Sequence, residues 1–176
     1  MHDSSLSLMS KFIEKYLMGT GDKINYKVLD FGSKDVNGSY KELFNQIECD
    51  YIGLDMEPGK NVHFVPRDLY KWPEIESSSI DVLVSGQALE HTEYFWLIFG
   101  EFARVLRKGG LLCVIAPSSG PEHKHPIDCW RFFPDGFRSL CNYSKIDCLE
   151  TYTNTDTEFD DGSALWNDTI LIGRKS

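Results

Sequence analysis

No apolar run in this sequence approaches the length of a membrane span, which excludes a spanning helix. The five cysteines, Cys49, Cys113, Cys129, Cys141 and Cys148, include no C-x-x-C pair. An odd, scattered set of this kind excludes a disulfide framework and reads as reduced thiols of a cytoplasmic protein. Positive charge is scarce as well, with 18 Lys and Arg against 27 Asp and Glu and a net charge of −9. The densest basic cluster is only Arg104 to Lys108. A nucleic-acid surface needs a Lys/Arg patch to displace counterions, so no nucleic-acid partner is expected. The N-terminus lacks a basic leader followed by an apolar core, and no signal peptide is expected. Neither an internal repeat nor a low-complexity tract is present. G-x-G-x-x-G is missing too, which argues against a dinucleotide oxidoreductase, as does the lack of chain for a second domain.

What is present is globular. At 176 residues, 41% hydrophobic and 26% charged, the chain is long enough for one sizeable core, and residues 1–176 read as a single domain. Its organising stretch is Tyr26 to Asp55. The run Tyr26-Lys27-Val28-Leu29-Asp30-Phe31 reads as a strand, Gly32-Ser33 as a tight turn, and Asp50 to Asp55 as a second strand ending on a carboxylate. A buried parallel strand, a glycine turn and a helix start make a pocket where backbone N–H groups can face a ligand. An acid closing the next strand is placed to accept from two ribose hydroxyls.

The rest of the chain alternates. Leu6, Met9, Ile13, Tyr16 and Leu17 keep helical spacing behind the cap candidates Ser4 and Ser5, with Gly19 as the stop. Tyr40, Leu43, Phe44 and Ile47 predict a crossover helix, and Asn61 to Val65 a short third strand ended by Pro66. Asp68 to Glu76 reads as loop or short helix. Ile80 to Ser85 predicts a central strand buried on both faces. A helix over about Tyr94 to Leu106 follows, stopped by Lys108-Gly109-Gly110, then a strand from Leu111 to Ala116. Pro134 opens another helix, and strands near Ile146 to Thr153 and Trp166 to Ile172 flank an acidic loop with Asp156, Glu158, Asp160 and Asp161. The expected fold is α/β: a doubly wound, mostly parallel seven-stranded sheet with an antiparallel hairpin, and one reversed strand, at its C-terminal edge.

Val28-Leu29-Asp30-Phe31-Gly32-Ser33, Leu54-Asp55-Met56, Ser79 to Ser85, Leu89-Glu90-His91 and Leu106 to Gly110 follow one another as in a known family. In order and spacing they resemble the class I S-adenosylmethionine-dependent methyltransferases, over roughly Asp22 to Pro117. One departure is Lys34, which stands where a second motif glycine would fall, while Asn37-Gly38 further on can supply positive-φ backbone. The local form Gly32 to Ser39 resembles small members associated with surface-glycan gene clusters.

The resemblance implies S-adenosylmethionine as cofactor and S-adenosylhomocysteine as product. It implies that Phe31, Gly32 and Ser33 approach the methionine portion, and that Asp30 faces its ammonium. Asp55 would hold the ribose diol, and Met56 would lie on adenine. Asp68 and Leu69 would reach the adenine edge, and Ser85, Gly86 and Gln87 would line the methionine side. For Asp30 the alternative is a capping role, and for Met56 ordinary packing.

Methyl transfer is an in-line displacement in which alignment and water exclusion dominate. His91, after the fourth strand, is the candidate base or acceptor contact, with a helix-start role as the alternative. His123 and His125 form an H-x-H pair, but no compact third ligand follows beyond Asp128, so no metal is expected. The loop holding His125, Asp128, Trp130 and Arg131 is the candidate acceptor site, its aromatic and guanidinium planes suited to a sugar ring or an anion. Equally, Trp130 and Phe132 could anchor that loop while Arg131 pairs with Asp135. The expected acceptor is a small molecule or glycan precursor. The competing expectation is a non-catalytic cofactor-binding or scaffold subunit of a larger complex.

Overall fold

The computed structural model describes residues 2–18, 25–156, 159 and 161–176. Gly19 and Asp22, and Glu158 and Asp160 of the acidic loop, lie outside the described residues. Six strands form one sheet: β1 (Tyr26–Phe31), β2 (Cys49–Leu54), β3 (Ile80–Gly86), β4 (Leu106–Pro117), β5 (Ile146–Thr153) and β6 (Asp168–Lys175). Their spatial order is β2-β1-β3-β4-β6-β5. The first four run parallel, and β6 is antiparallel to both β4 and β5. The reversed strand therefore lies one position inside the edge, which belongs to β5.

Side-chain alternation along the strands feeds two cores. Leu29, Phe31, Leu83, Leu112 and Val114 face one side with α2 (Phe95–Val105) and α3 (Pro134–Ser144). Val28, Val82, Val84, Cys113 and Ile115 face the other, against α1 (Asp3–Tyr16) and the 3₁₀ turn Tyr40–Gln46. Every residue of β3 is buried, as expected for a central strand covered on both faces.

Several expectations shift. The crossover after β1 is 3₁₀ rather than α, because only seven residues separate the Ser39 cap from Ile47, too few for a stable α-helix. Asn61 to Val65 contributes a single bridge, Leu54 to Phe64, and not a strand, which leaves six strands among the described residues instead of seven. Asn61 sits at φ +67 and Pro66 offers no N–H, so a ladder cannot extend in either direction. Lys108-Gly109-Gly110 does not cap α2. The chain passes from Val105 directly into β4, and Gly109 at φ +77 lies in the irregular register opposite Ile80 and Val82. Ser4 and Ser5 lie within α1 and are buried: Ser4 Oγ donates to Asp168 Oδ2 at 2.6 Å and Ser5 Oγ meets Tyr40 Oη at 2.5 Å. Trp166 belongs to a 3₁₀ turn ahead of β6.

Candidate active site

Strand order reverses between β1 and β3, since the chain goes outward from β1 to β2 and then returns past β1 to β3. Ligands of open α/β sheets sit outside the carboxyl ends of the strands at such a point. A cleft of about 470 Å³ opens there. Of the residues that the sequence points to, Phe31, Gly32, Asp55, Met56, Leu69, Gly86, Gln87, His91 and His125 line it.

Gly32 adopts φ +82, and an added Cβ would run into the Ala88 side chain, so the turn requires glycine. The N–H groups of Gly32 and Ser33 are committed to Leu54 O, at 2.8 and 3.2 Å, rather than presented to a ligand. Asp55 is fixed by backbone instead: Oδ2 accepts from Lys34 N at 2.9 Å and Oδ1 from Glu57 N at 3.2 Å. Lys34 is accommodated because its side chain turns away to Glu57, Nζ to Oε2 2.7 Å. Gly38, at φ +125, supplies the left-handed backbone further along this loop and lines the cleft with Val36 and Asn37.

Asp30, Ser33, Ser85 and Asp68 do not line the cleft. Asp30 is buried behind it and accepts from Tyr51 Oη at 2.5 Å; burial pushes its carboxyl up to about 7. Ser33 and Ser85 are buried, and Asp68 is exposed, its Oδ1 accepting from Tyr70 N at 2.9 Å in a local turn.

The far wall of the cleft is histidine-rich. His91 ends a short 3₁₀ turn, Leu89–His91, after β3. Its Nδ1 lies 2.6 Å from Ile127 O, so Nδ1–H is the donor and Nε2 carries the lone pair. Burial lowers its pKa from the ordinary histidine value. The rings of His123 and His125 stand 4.9 and 5.7 Å from that of His91. Behind them Glu90 is fully buried, and burial pushes its carboxyl up to about 8. Sequence reasoning passed over Glu90, because a Glu beside a His after a strand looks like an ordinary helix start. Only packing shows that its side chain turns inward.

Asp128, Trp130 and Arg131 lie behind the wall and hold the loop. Arg131 grips both Asp128 oxygens, at 2.6 and 2.9 Å, and donates to Pro121 O at 2.8 Å. The Arg131 guanidinium holds the Asp128 carboxyl well below the usual carboxylate range. The partner of Arg131 is thus Asp128 and not Asp135, which pairs with Arg138. Trp130 Nε1 donates to Thr92 O at 2.9 Å, and its ring packs edge-on to Phe95. Of the acceptor-loop candidates, His125 alone lines the cleft.

Residues 29–114 match the Methyltransferase domain family. No curated protein matches the sequence significantly. Solved structures do match in fold. One is the 1,6-didemethyltoxoflavin-N1-methyltransferase of Burkholderia thailandensis with bound 1,6-didemethyltoxoflavin and S-adenosylhomocysteine: TM-score 0.73, 14% identity, 98% of this chain and 79% of that chain covered. YcgJ of Bacillus subtilis is similar at TM-score 0.66 and 15% identity, with 99% of each chain covered. The [4+2]-cyclase SpnF is similar at TM-score 0.70 and 14% identity, over 97% of this chain and 81% of that chain. The fold is the Rossmann-like methyltransferase fold. Its ordered motifs and the match over residues 29–114 thus lie within a chain that has the fold of the class I S-adenosylmethionine-dependent methyltransferases.

Proposed function

We propose that this chain transfers a methyl group from S-adenosylmethionine to a small-molecule or glycan-precursor acceptor. The observation that carries the reading is the cleft at the β1/β3 switch point, lined by both a fixed carboxylate and a histidine cluster. The residues fit an adenosyl cofactor. Asp55 offers two oriented oxygens beside Met56, and Gly32 leaves the floor free of side chain where β1 ends. When bound, the cofactor supplies an electrophilic methyl on a sulfonium.

The chain's residues do the rest. Asp55 would accept from the ribose diol, and Met56 and Leu69 would sandwich the apolar base. Gly86 and Gln87 would border the methionine portion. Asp30 would act from behind Gly32, Ser33 and Asp68 would shape the loops, and Ser85 would support the end of β3, instead of touching the ligand. His91 and His125 would meet the acceptor, and the nucleophile's proton would leave towards the His91 cluster. Asp128, Trp130 and Arg131 would hold the acceptor loop in register. Within one domain spanning residues 1–176, this is alignment chemistry above all.

Calorimetric titration with S-adenosylmethionine and S-adenosylhomocysteine, with NAD as control, tests the reading. Binding of the first two and not of NAD is expected. No binding of either would reject it. The similarity to a cyclase makes turnover the second check: methyl transfer to an accepted substrate, read as S-adenosylhomocysteine released.

A further inference from the structure

Glu90, His91 and His123 each offer one ligand atom, and these atoms lie within 4.8 Å of one another. Glu90 is 0% exposed, and no other residue hydrogen-bonds to either of its carboxylate oxygens. A buried carboxylate without donors is costly unless a cation or a proton neutralises it. Its Oε1 faces His91 Nε2 at 3.7 Å, and that nitrogen carries the ring's free lone pair because Nδ1–H is donated to Ile127 O. A ligating imidazole is oriented in this way, its second nitrogen donating to a backbone carbonyl. His123 is held by Asp128, which accepts from His123 N at 2.8 Å and lies 3.3 Å from its Nδ1. Arg131 in turn locks Asp128. The orphaned acid, the oriented His91 imidazole and a His123 ring whose buried Nδ1 has no hydrogen-bond partner lie together, with Asp128 and Arg131 holding the His123 backbone.

We propose that Glu90, His91 and His123 bind a divalent first-row transition cation at the acceptor end of the cleft. Two imidazoles and one carboxylate suit Zn²⁺ or Co²⁺, whereas Mg²⁺ and Ca²⁺ favour all-oxygen sets. Three protein ligands leave a coordination position for a further donor, and His91 and His123 both line the cleft, so that position opens towards the acceptor. His125, also on the wall, is near enough to contact whatever fills it. Binding of the cation stands on these side chains alone. Its use rests on the methyl-transfer reading: an acceptor hydroxyl on the cation would ionise nearer neutral pH, its proton passing to His125 and then to water. The new oxygen–carbon bond would then form as the carbon–sulfur bond breaks, its electron pair staying on sulfur.

The test uses the full chain stripped by chelator. Calorimetry with Zn²⁺ should show one equivalent, and Co²⁺ should give the visible spectrum of a cation with nitrogen ligands. Glu90→Gln and His123→Ala should each weaken Zn²⁺ binding about 100-fold or more, and Asp128→Asn, which only orients His123, about 10- to 100-fold. S-adenosylmethionine binding, titrated on the same stripped chain and variants, should persist, so failure of the cation site and failure of the cofactor reading are separate results. No Zn²⁺ binding, unchanged affinity in both ligand variants, or a preference for Mg²⁺ would each overturn the proposal. Should the variants fail to fold, the Co²⁺ spectrum of the unaltered chain decides: a spectrum without nitrogen ligands rejects the site.

Discussion

Asp30 lies near the end of β1 and Asp55 just past the end of the neighbouring β2, and the two behave oppositely. Asp55 has its oxygens held by two backbone N–H groups at the cleft, which keeps it oriented for a ligand. Asp55→Ala should weaken S-adenosylmethionine binding by about 1.5–3 kcal/mol for each charge-assisted hydrogen bond lost, roughly tenfold or more, read by calorimetry. Asp30 is buried, with a carboxyl raised from 3.8 to about 7 by desolvation. Between those two values the folded chain holds the proton and the unfolded chain has released it. This contribution to stability is therefore full below about pH 4, declines as pH rises to about 7, and is lost above. Asp30→Asn should remove that slope, so urea unfolding across the window should show the variant gaining on its parent as pH rises. Both acids were legible in the sequence as strand ends after apolar runs. The difference between them was not, because it depends on Tyr51 and on which side of the β1 terminus is covered.

At the scale of elements, α1 shows how a legible helix can be placed incorrectly in detail. Its period predicted the helix, yet Ser4 and Ser5 are buried in it rather than capping it, because Asp168 and Tyr40 accept and share their hydroxyl protons. Leu8, Met9, Phe12 and Ile13 are the buried apolar residues of α1, which packs against β4, β6 and the 3₁₀ turn Tyr40–Gln46. Phe12→Ala should cost about 3–5 kcal/mol, read as a lowered urea midpoint, since a fully buried ring leaves a cavity. The 3₁₀ crossover and the missing seventh strand have a common cause. Each segment is short: the first is closed by its Ser39 cap and the Ile47 N–H to Phe44 O bond, and in the second His63 and Phe64 N–H both donate to Gly53 O of β2.

At the scale of the whole molecule, two cores lie on opposite faces of one sheet, so neither has a sheet of its own to fold on. Thermal or urea unfolding should therefore be one transition, with far-UV circular dichroism and tryptophan fluorescence coincident; separated curves would divide the proposed single domain. Strand alternation, glycine placement and apolar runs determined the α/β class, the switch-point strands, and Gly32 and Asp55, because these follow from local periodicity and backbone sterics. Glu90 and His123 are separated along the chain by a helix and a strand, and their meeting depends on how the loop after β4 folds back over the end of β3. That encounter, and the burial that leaves the Glu90 carboxylate without a hydrogen bond from any other residue, arises only in the tertiary structure, where distant segments exclude water from a shared space.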